Sequence, residues 1–231
     1  MLSFEKALEE GAGGIELDVR KTSDGEFIVI HDSTVDRTTD GEGVVSELSW
    51  DYISQLDAGS WKSSKFANRD DTKVPKLIDV LDTYKDEPVF LSIHLKVGME
   101  DVLEIINLIE ERDMLYQSIV FADRDIIGEI KELNPDVFVI NDGINHEPND
   151  LIDQAIDENW DAVSIGLSKI TSDVVTRAQS EGLLVQVSYL SGDYESNTQD
   201  MIDLGVDFIL GDAPKSIVSV LKSNKLEQLN P

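Results

Sequence analysis

The sequence predicts an α/β fold of the (β/α)₈ TIM-barrel type, lacking its first strand and carrying a small insertion. Three observations carry that expectation. Short, β-branched apolar runs alternate with amphipathic stretches along the whole chain, the pattern of repeated βα units. At 231 residues and 25.7 kDa the chain falls a little short of the roughly 250 residues usual for such a barrel. The 41% hydrophobic and 29% charged residues supply a packed core and exclude global disorder.

The elements follow in order. Ser3 to Glu10 reads as a helix with Phe4, Ala7 and Leu8 on one face and Gly11 as its stop. In a βα barrel that helix should follow a strand, so one strand is expected to be absent. Gly14 to Val19 is the first strand candidate, and Asp24-Gly25 is the tight turn into an extra strand, Phe27 to Ile30. Residues 32–75 are polar, contain Gly and Ser, and carry Trp50 and Trp61; they read as an insertion at one end of the sheet. Further strands are expected at Phe90 to Leu95, Ser118 to Phe121, Val137 to Ile140, Ala162 to Ile165, Leu183 to Val187 and Phe208 to Leu210. Helices are expected at Glu100 to Arg112, Asp125 to Leu133, Asn149 to Asn159, Ser172 to Glu181, Thr198 to Leu204 and Ser216 to Leu221. Gly182 and Gly205 stand where left-handed C-caps belong, and Asn134-Pro135 ends a third helix. The whole, residues 1–231, is read as a single domain that includes the 32–75 insertion.

Active sites of such barrels gather at the C-terminal ends of the strands. In Ile15-Glu16-Leu17-Asp18-Val19 the apolar residues share one face, and Glu16 and Asp18 share the other. Two adjacent carboxylates repel unless a cation lies between them, and a hard divalent ion takes such oxygen ligands. The same alternation is also the ordinary pattern of a strand with one solvated face. His31, followed by Asp32, lies just beyond the second strand, where an imidazole exchanges protons near neutral pH. Ser92-Ile93-His94-Leu95-Lys96 puts His94 and Lys96 on one face, and Lys96 offers either a charge for a phosphate oxygen or an ion-pair partner for Glu16 or Asp18. Later strand ends contribute Asp123, Asn141, Asp142, Ser164, Gln186, Ser188 and Asp212.

The 47 acidic residues against 19 basic ones give a formal net charge of -28, which argues against a nucleic-acid partner. It equally opposes a polybasic membrane anchor, and no apolar run is long enough for an integral membrane span. A surface this acidic suits a salt-adapted protein. The start has no secretory signal pattern, so a cytoplasmic location is expected. The absence of cysteine excludes disulfides, thiolate metal sites and a cysteine nucleophile.

These residues resemble the glycerophosphodiester phosphodiesterases, metal-dependent TIM-barrel enzymes. The resemblance lies in Ala12-Gly13-Gly14-Ile15-Glu16-Leu17-Asp18-Val19-Arg20, Thr22, Asp24-Gly25, Val29-Ile30-His31-Asp32, and Val35-Asp36-Arg37-Thr38-Thr39 with Gly41. It continues through Asp57-Ala58-Gly59-Ser60-Trp61, Val74-Pro75, Gly205-Val206-Asp207-Phe208-Ile209 and Asp212-Ala213-Pro214. It implies hydrolysis of a small-molecule glycerophosphodiester to glycerol 3-phosphate and an alcohol. Glu16 and Asp18 match two metal ligands, His31 one of two acid/base histidines, Lys96 a lysine near the phosphate, and residues 32–75 an insertion after the second family strand that shapes the substrate pocket. The implied cofactor is a divalent metal, Mg²⁺ or Ca²⁺ first. Two departures stand out: the family's opening His-Arg-Gly strand is not in this sequence, and His94 stands where the family has a third carboxylate. An imidazole is a poorer ligand for Mg²⁺ or Ca²⁺ than a carboxylate, so His94 is expected either to bind a softer ion such as Mn²⁺ or Zn²⁺ beside Glu16 and Asp18, or to bind none. Three readings follow: an enzyme whose natural start lies upstream, a divergent enzyme that works as given, or an impaired or inactive member that binds a phosphodiester, metal or protein partner. Without the first strand, exposed strand edges would favour a homo-oligomer.

Overall fold

The computed structural model describes residues 1–141, 146–189 and 191–229. The chain divides into two compact units, residues 1–8 with 13–118, and residues 9–12 with 119 onward.

The first unit opens with α1 (Leu2–Glu9) and β1 (Gly14–Lys21). β1 pairs antiparallel with β2 (Phe27–Val29), Val19 opposite Val29 and Lys21 opposite Phe27. This pairing carries β1 two residues past the expected end at Val19. The turn is built by Thr22-Ser23-Asp24-Gly25: Gly25 has φ +92°, which an L side chain rarely adopts, and Asp24 accepts the Thr22 hydroxyl at 2.6 Å. On its other side β1 pairs in parallel with β3 (Phe90–Leu95), Gly14 opposite Phe90 and Asp18 opposite His94. A Cβ at Gly14 would stand 2.9 Å from the Phe90 carbonyl oxygen, so only glycine allows this close approach.

The segment over residues 32–75 builds its own small core on β2. Val35, Val45, Ile53, Leu56 and Val74 are buried with Ile28 and Ile30, and Leu48, Trp50 and Ala58 pack against them. Its only α-helical turn is α2 (Trp50–Ile53), capped by Ser49 and tied to the hairpin by the Trp50 N–H, which donates to Asp24. Then follows α3 (Leu77–Tyr84), a helix beyond those expected from the sequence, with Leu77, Val80, Leu81 and Tyr84 buried at helical spacing. α4 (Met99–Glu110) closes the unit, burying Val102, Ile105, Ile106 and Ile109.

The second unit runs β4 (Ser118–Ala122), α5 (Arg124–Leu133), β5 (Phe138–Asn141), α6 (Pro148–Asp157), β6 (Ala162–Gly166), α7 (Ser172–Ser180), β7 (Leu184–Ser188), α8 (Tyr194–Leu204), β8 (Phe208–Leu210) and α9 (Pro214–Leu229). Its strands pair in parallel in chain order, as repeated βα units require. Gly182 (φ +86°) follows α7 and Gly205 (φ +74°) caps α8, both as the sequence predicts. α8 begins four residues before the expected Thr198, because the Asp193 carboxylate accepts the Ser196 N–H as an N-cap. α9 extends well beyond the expected Ser216 to Leu221. Among the described residues, no helix is long and apolar enough to cross a membrane.

Candidate active site

β1 and β3 supply the centre of the site. Their parallel register sets Asp18 beside His94 and Glu16 beside Ser92. Because side chains alternate along a strand, Glu16 and Asp18 emerge on one face while Ile15, Leu17 and Val19 enter the core. His94 Nδ1 lies 3.2 Å from Asp18 Oδ1 and 3.6 Å from Glu16 Oε1. Asp18 and His94 are buried, and Glu16 is partly exposed. Lys96, just past the end of β3, donates its backbone N–H to the Val19 carbonyl and holds its ammonium 3.7 Å from Asp18 Oδ1.

Burying two carboxylates side by side is unfavourable without nearby positive charge. Lys96 provides one such charge, and a divalent ion would provide more. One ligand atom each from Glu16, Asp18 and His94 lie within 4.8 Å of one another. The separations from His94 fall inside the limit for two ligands on one ion, about twice a bond of roughly 2.1 Å. The donor set therefore fits a divalent cation, with a nitrogen in place of a third carboxylate oxygen.

The backbone brings His31 to the same end of β1. The Ile30 N–H donates to the Asp18 carbonyl at 3.0 Å, and the His31 carbonyl accepts Arg20 Nε at 3.0 Å. The His31 ring is largely exposed, and its Nδ1 lies 2.7 Å from Asp32 Oδ1. Asp32 is gripped in turn by Arg37, whose Nε and Nη2 donate at 2.6 and 2.9 Å. These bonds, the Arg37 pair first and His31 second, hold the Asp32 carboxyl well below the usual carboxylate range. An ionised Asp32 favours the tautomer with its proton on the Nδ1 that faces it. In the sequence the adjacency of His31 and Asp32 is a signal for Asp32, whereas Arg37 joins them only through the folded turn.

A cavity of about 560 Å³ adjoins His31. Phe4 of α1 and Trp61, Lys62, Phe66 and Val74 of the 32–75 segment help line it. Gly59 is what allows that wall to close, since a Cβ there would fall 2.1 Å from the Phe66 carbonyl oxygen. The Asp57 carboxylate accepts the Gly59 and Ser60 N–H groups at 2.8 and 3.2 Å, fixing the turn before Trp61.

The polar strand ends of the second unit are largely internal. Asn141, Ser164 and Gln186 are buried. Asn141 Oδ1 accepts the Ser164 N–H at 2.8 Å, and Gln186 Nε2 donates to the hydroxyls of Ser164 and Ser188 at 3.3 and 3.4 Å. Asp123 serves as the N-cap of α5. Asp142 lies outside the described residues.

Alternating strands and helices with a carboxylate pair, an imidazole and a lysine gathered at adjoining strand ends define an α/β protein of the TIM-barrel type with a charged site at the ends of its strands. The pattern of the glycerophosphoryl diester phosphodiesterase family matches residues 1–216, and the chain belongs to that family. It is 30% identical to a glycerophosphodiester phosphodiesterase of Caldanaerobacter subterraneus subsp. tengcongensis, across 95% of this chain and 90% of that protein. Among solved structures, a glycerophosphodiester phosphodiesterase from Agrobacterium tumefaciens superimposes with a TM-score of 0.81 at 25% identity, covering 94% of this chain and 90% of the other. A phosphodiesterase from Oleispira antarctica, solved with its product sn-glycerol-3-phosphate, shares the fold with a TM-score of 0.80 at 21% identity, over 95% and 89% of the two chains.

Proposed function

We propose that this protein hydrolyses glycerophosphodiesters, converting the diester and water into glycerol 3-phosphate and a free alcohol with the help of a divalent cation. The observation that carries the reading is the juxtaposition of Glu16, Asp18 and His94 with Lys96, in a chain of this family. When bound, the cation would supply charge for the anionic phosphate and for the oxygen that develops charge as the ester bond breaks. Glu16, Asp18 and His94 would hold it. Lys96 adds a second positive charge on the same side, which a chain of net charge -28 needs in order to admit an anionic substrate. His31, oriented by Asp32, exchanges a proton at Nε2 with the attacking water or the departing alkoxide; such a group contributes about 10²- to 10⁴-fold. The cavity beside His31 receives the alcohol portion against the Trp61 and Phe4 side chains.

The test is direct. The purified protein is incubated with glycerophosphocholine and Mg²⁺, Ca²⁺, Mn²⁺ or Zn²⁺, and glycerol 3-phosphate is measured beside a Glu16→Ala control. Turnover that needs both the ion and Glu16 supports the reading. Equal activity in the variant overturns the assignment of the reaction to this cluster, and no product with any of the ions overturns hydrolysis itself and leaves binding as the function of the site.

A further inference from the structure

We infer that His94 sets the metal preference of this centre, so that Glu16, Asp18 and His94 bind Zn²⁺ in preference to Mg²⁺ or Ca²⁺. The inference rests on the proposed reading of the cluster as a metal centre, and it makes a claim about these side chains that is independent of turnover.

The argument starts from the donor atoms. Mg²⁺ and Ca²⁺ are held by charge and oxygen, and each anionic carboxylate removed from the ligand set weakens them. Here the three protein ligands carry two negative charges, because a ligating imidazole is neutral. The Lys96 ammonium, 3.7 Å from Asp18 Oδ1, offsets part of what remains. For a hard ion the centre is therefore both short of charge and short of oxygen. Zn²⁺ responds differently: it takes imidazole nitrogen as readily as carboxylate oxygen and needs only three protein ligands with a fourth position left open.

Position reinforces chemistry. His94 is not a bystander near the carboxylates, since its Nδ1 faces both, at 3.2 Å from Asp18 and 3.6 Å from Glu16. It is 7% exposed and Asp18 8%, so bulk water has little access to these two ligands. The strand register that puts Asp18 opposite His94 fixes the pair on rigid elements.

The experiment uses the full chain stripped with a chelator, in enough salt to screen its acidic surface, titrated with Zn²⁺, Mg²⁺ and Ca²⁺. With three histidines in the chain, the imidazole nitrogen resonances can be assigned by single substitution. Stoichiometric Zn²⁺ is expected to shift the His94 Nδ1 resonance, and a roughly thousandfold excess of Mg²⁺ or Ca²⁺ should neither reproduce the shift nor reverse it. His94→Glu should lose at least about tenfold in Zn²⁺ affinity and gain affinity for Mg²⁺ or Ca²⁺. The inference fails if Zn²⁺ leaves the His94 resonance unmoved, or if Mg²⁺ or Ca²⁺ displaces Zn²⁺ at comparable concentration. Should His94→Glu not fold, His94→Ala takes its place: it should lose at least about tenfold in Zn²⁺ affinity, and an unchanged Zn²⁺ affinity overturns the inference. Turnover of glycerophosphocholine is scored separately: a Zn²⁺-selective protein without hydrolysis would overturn the proposed activity and leave this selectivity standing.

Discussion

His94 Nδ1 and Asp18 Oδ1 are 3.2 Å apart because their residues are direct partners in the parallel pairing of β3 with β1. The contact ties the chemistry of the site to strand register. A slip of β3 by one residue would turn His94 to the face opposite Asp18, so the register must be correct for the cluster to exist.

Removing a carboxylate from this cluster should abolish function more than it harms the fold. Asp18→Ala and Glu16→Ala are expected to lower kcat/KM for glycerophosphocholine by at least about a hundredfold, since under the proposed function they would remove ligands of the metal itself. Circular dichroism should stay unchanged, because neither side chain belongs to the apolar core.

Under the proposed function, Asp32 would act on the reaction through His31, whose Nδ1 it faces at 2.7 Å. Asp32→Asn should reduce kcat about 10- to 100-fold with little change in KM, because the amide neither enforces the Nδ1–H tautomer nor stabilises a protonated ring. Arg37→Ala should give a smaller loss, and Arg37→Lys should restore only part of it, as an ammonium cannot reproduce the two-pronged grip on Asp32. Steady-state kinetics that find KM, and not kcat, altered in Asp32→Asn would remove Asp32 from this positioning role.

The same pair predicts a pH dependence of stability. The Asp32 carboxyl is held below its ordinary value by Arg37 and His31. Its contribution, about 1 kcal/mol for a partly exposed pair, is therefore fully present above the unfolded pKa near 4 and is lost as pH falls through the lower folded value. Thermal melts should show Asp32→Asn less stable than the wild type at pH 7, with the gap closing toward pH 2. A gap that stays constant from pH 7 to pH 2 would contradict this assignment.

Gly59 is predicted to be a structural necessity. A methyl group there would meet the Phe66 carbonyl oxygen at 2.1 Å and Thr72 Oγ1 at 2.6 Å, and backbone cannot yield as a flexible side chain can. Gly59→Ala should destabilise the protein by about 1 to 3 kcal/mol, read as a lowered midpoint in urea. It should also weaken substrate binding through displacement of the neighbouring Trp61.

Much of this was legible in the sequence, and particular residues show why. The alternation in Ile15 to Val19 announced a strand with one acidic face, the helical spacing around Phe4 announced α1, and Gly182 and Gly205 marked helix ends, all by local rules. α3 was legible too, in Leu77, Val80, Leu81 and Tyr84, but was obscured by the polar segment before it. The early start of α8 was harder to read, because Asp193-Tyr194-Glu195-Ser196 looks like a loop until Asp193 is seen to cap it. Asn141, Ser164 and Gln186 read as polarity at strand ends; only pairing between neighbouring strands shows that they satisfy one another.

By itself the sequence determined the βα alternation, the acidic composition, and the candidate groups for chemistry: Glu16, Asp18, His31, His94 and Lys96. These follow from residue type and periodicity, which are local. Tertiary structure alone decided which of them meet. Sequence separates Asp18 from His94 by β2, the 32–75 segment and α3, and only the β1–β3 register brings imidazole to carboxylate. Likewise Asp32 became a partner of His31 and Arg37 only when the turn after β2 folded them together. Distances of 3 Å between side chains are set by backbone pairing and packing, and no rule of composition or spacing along a chain contains them.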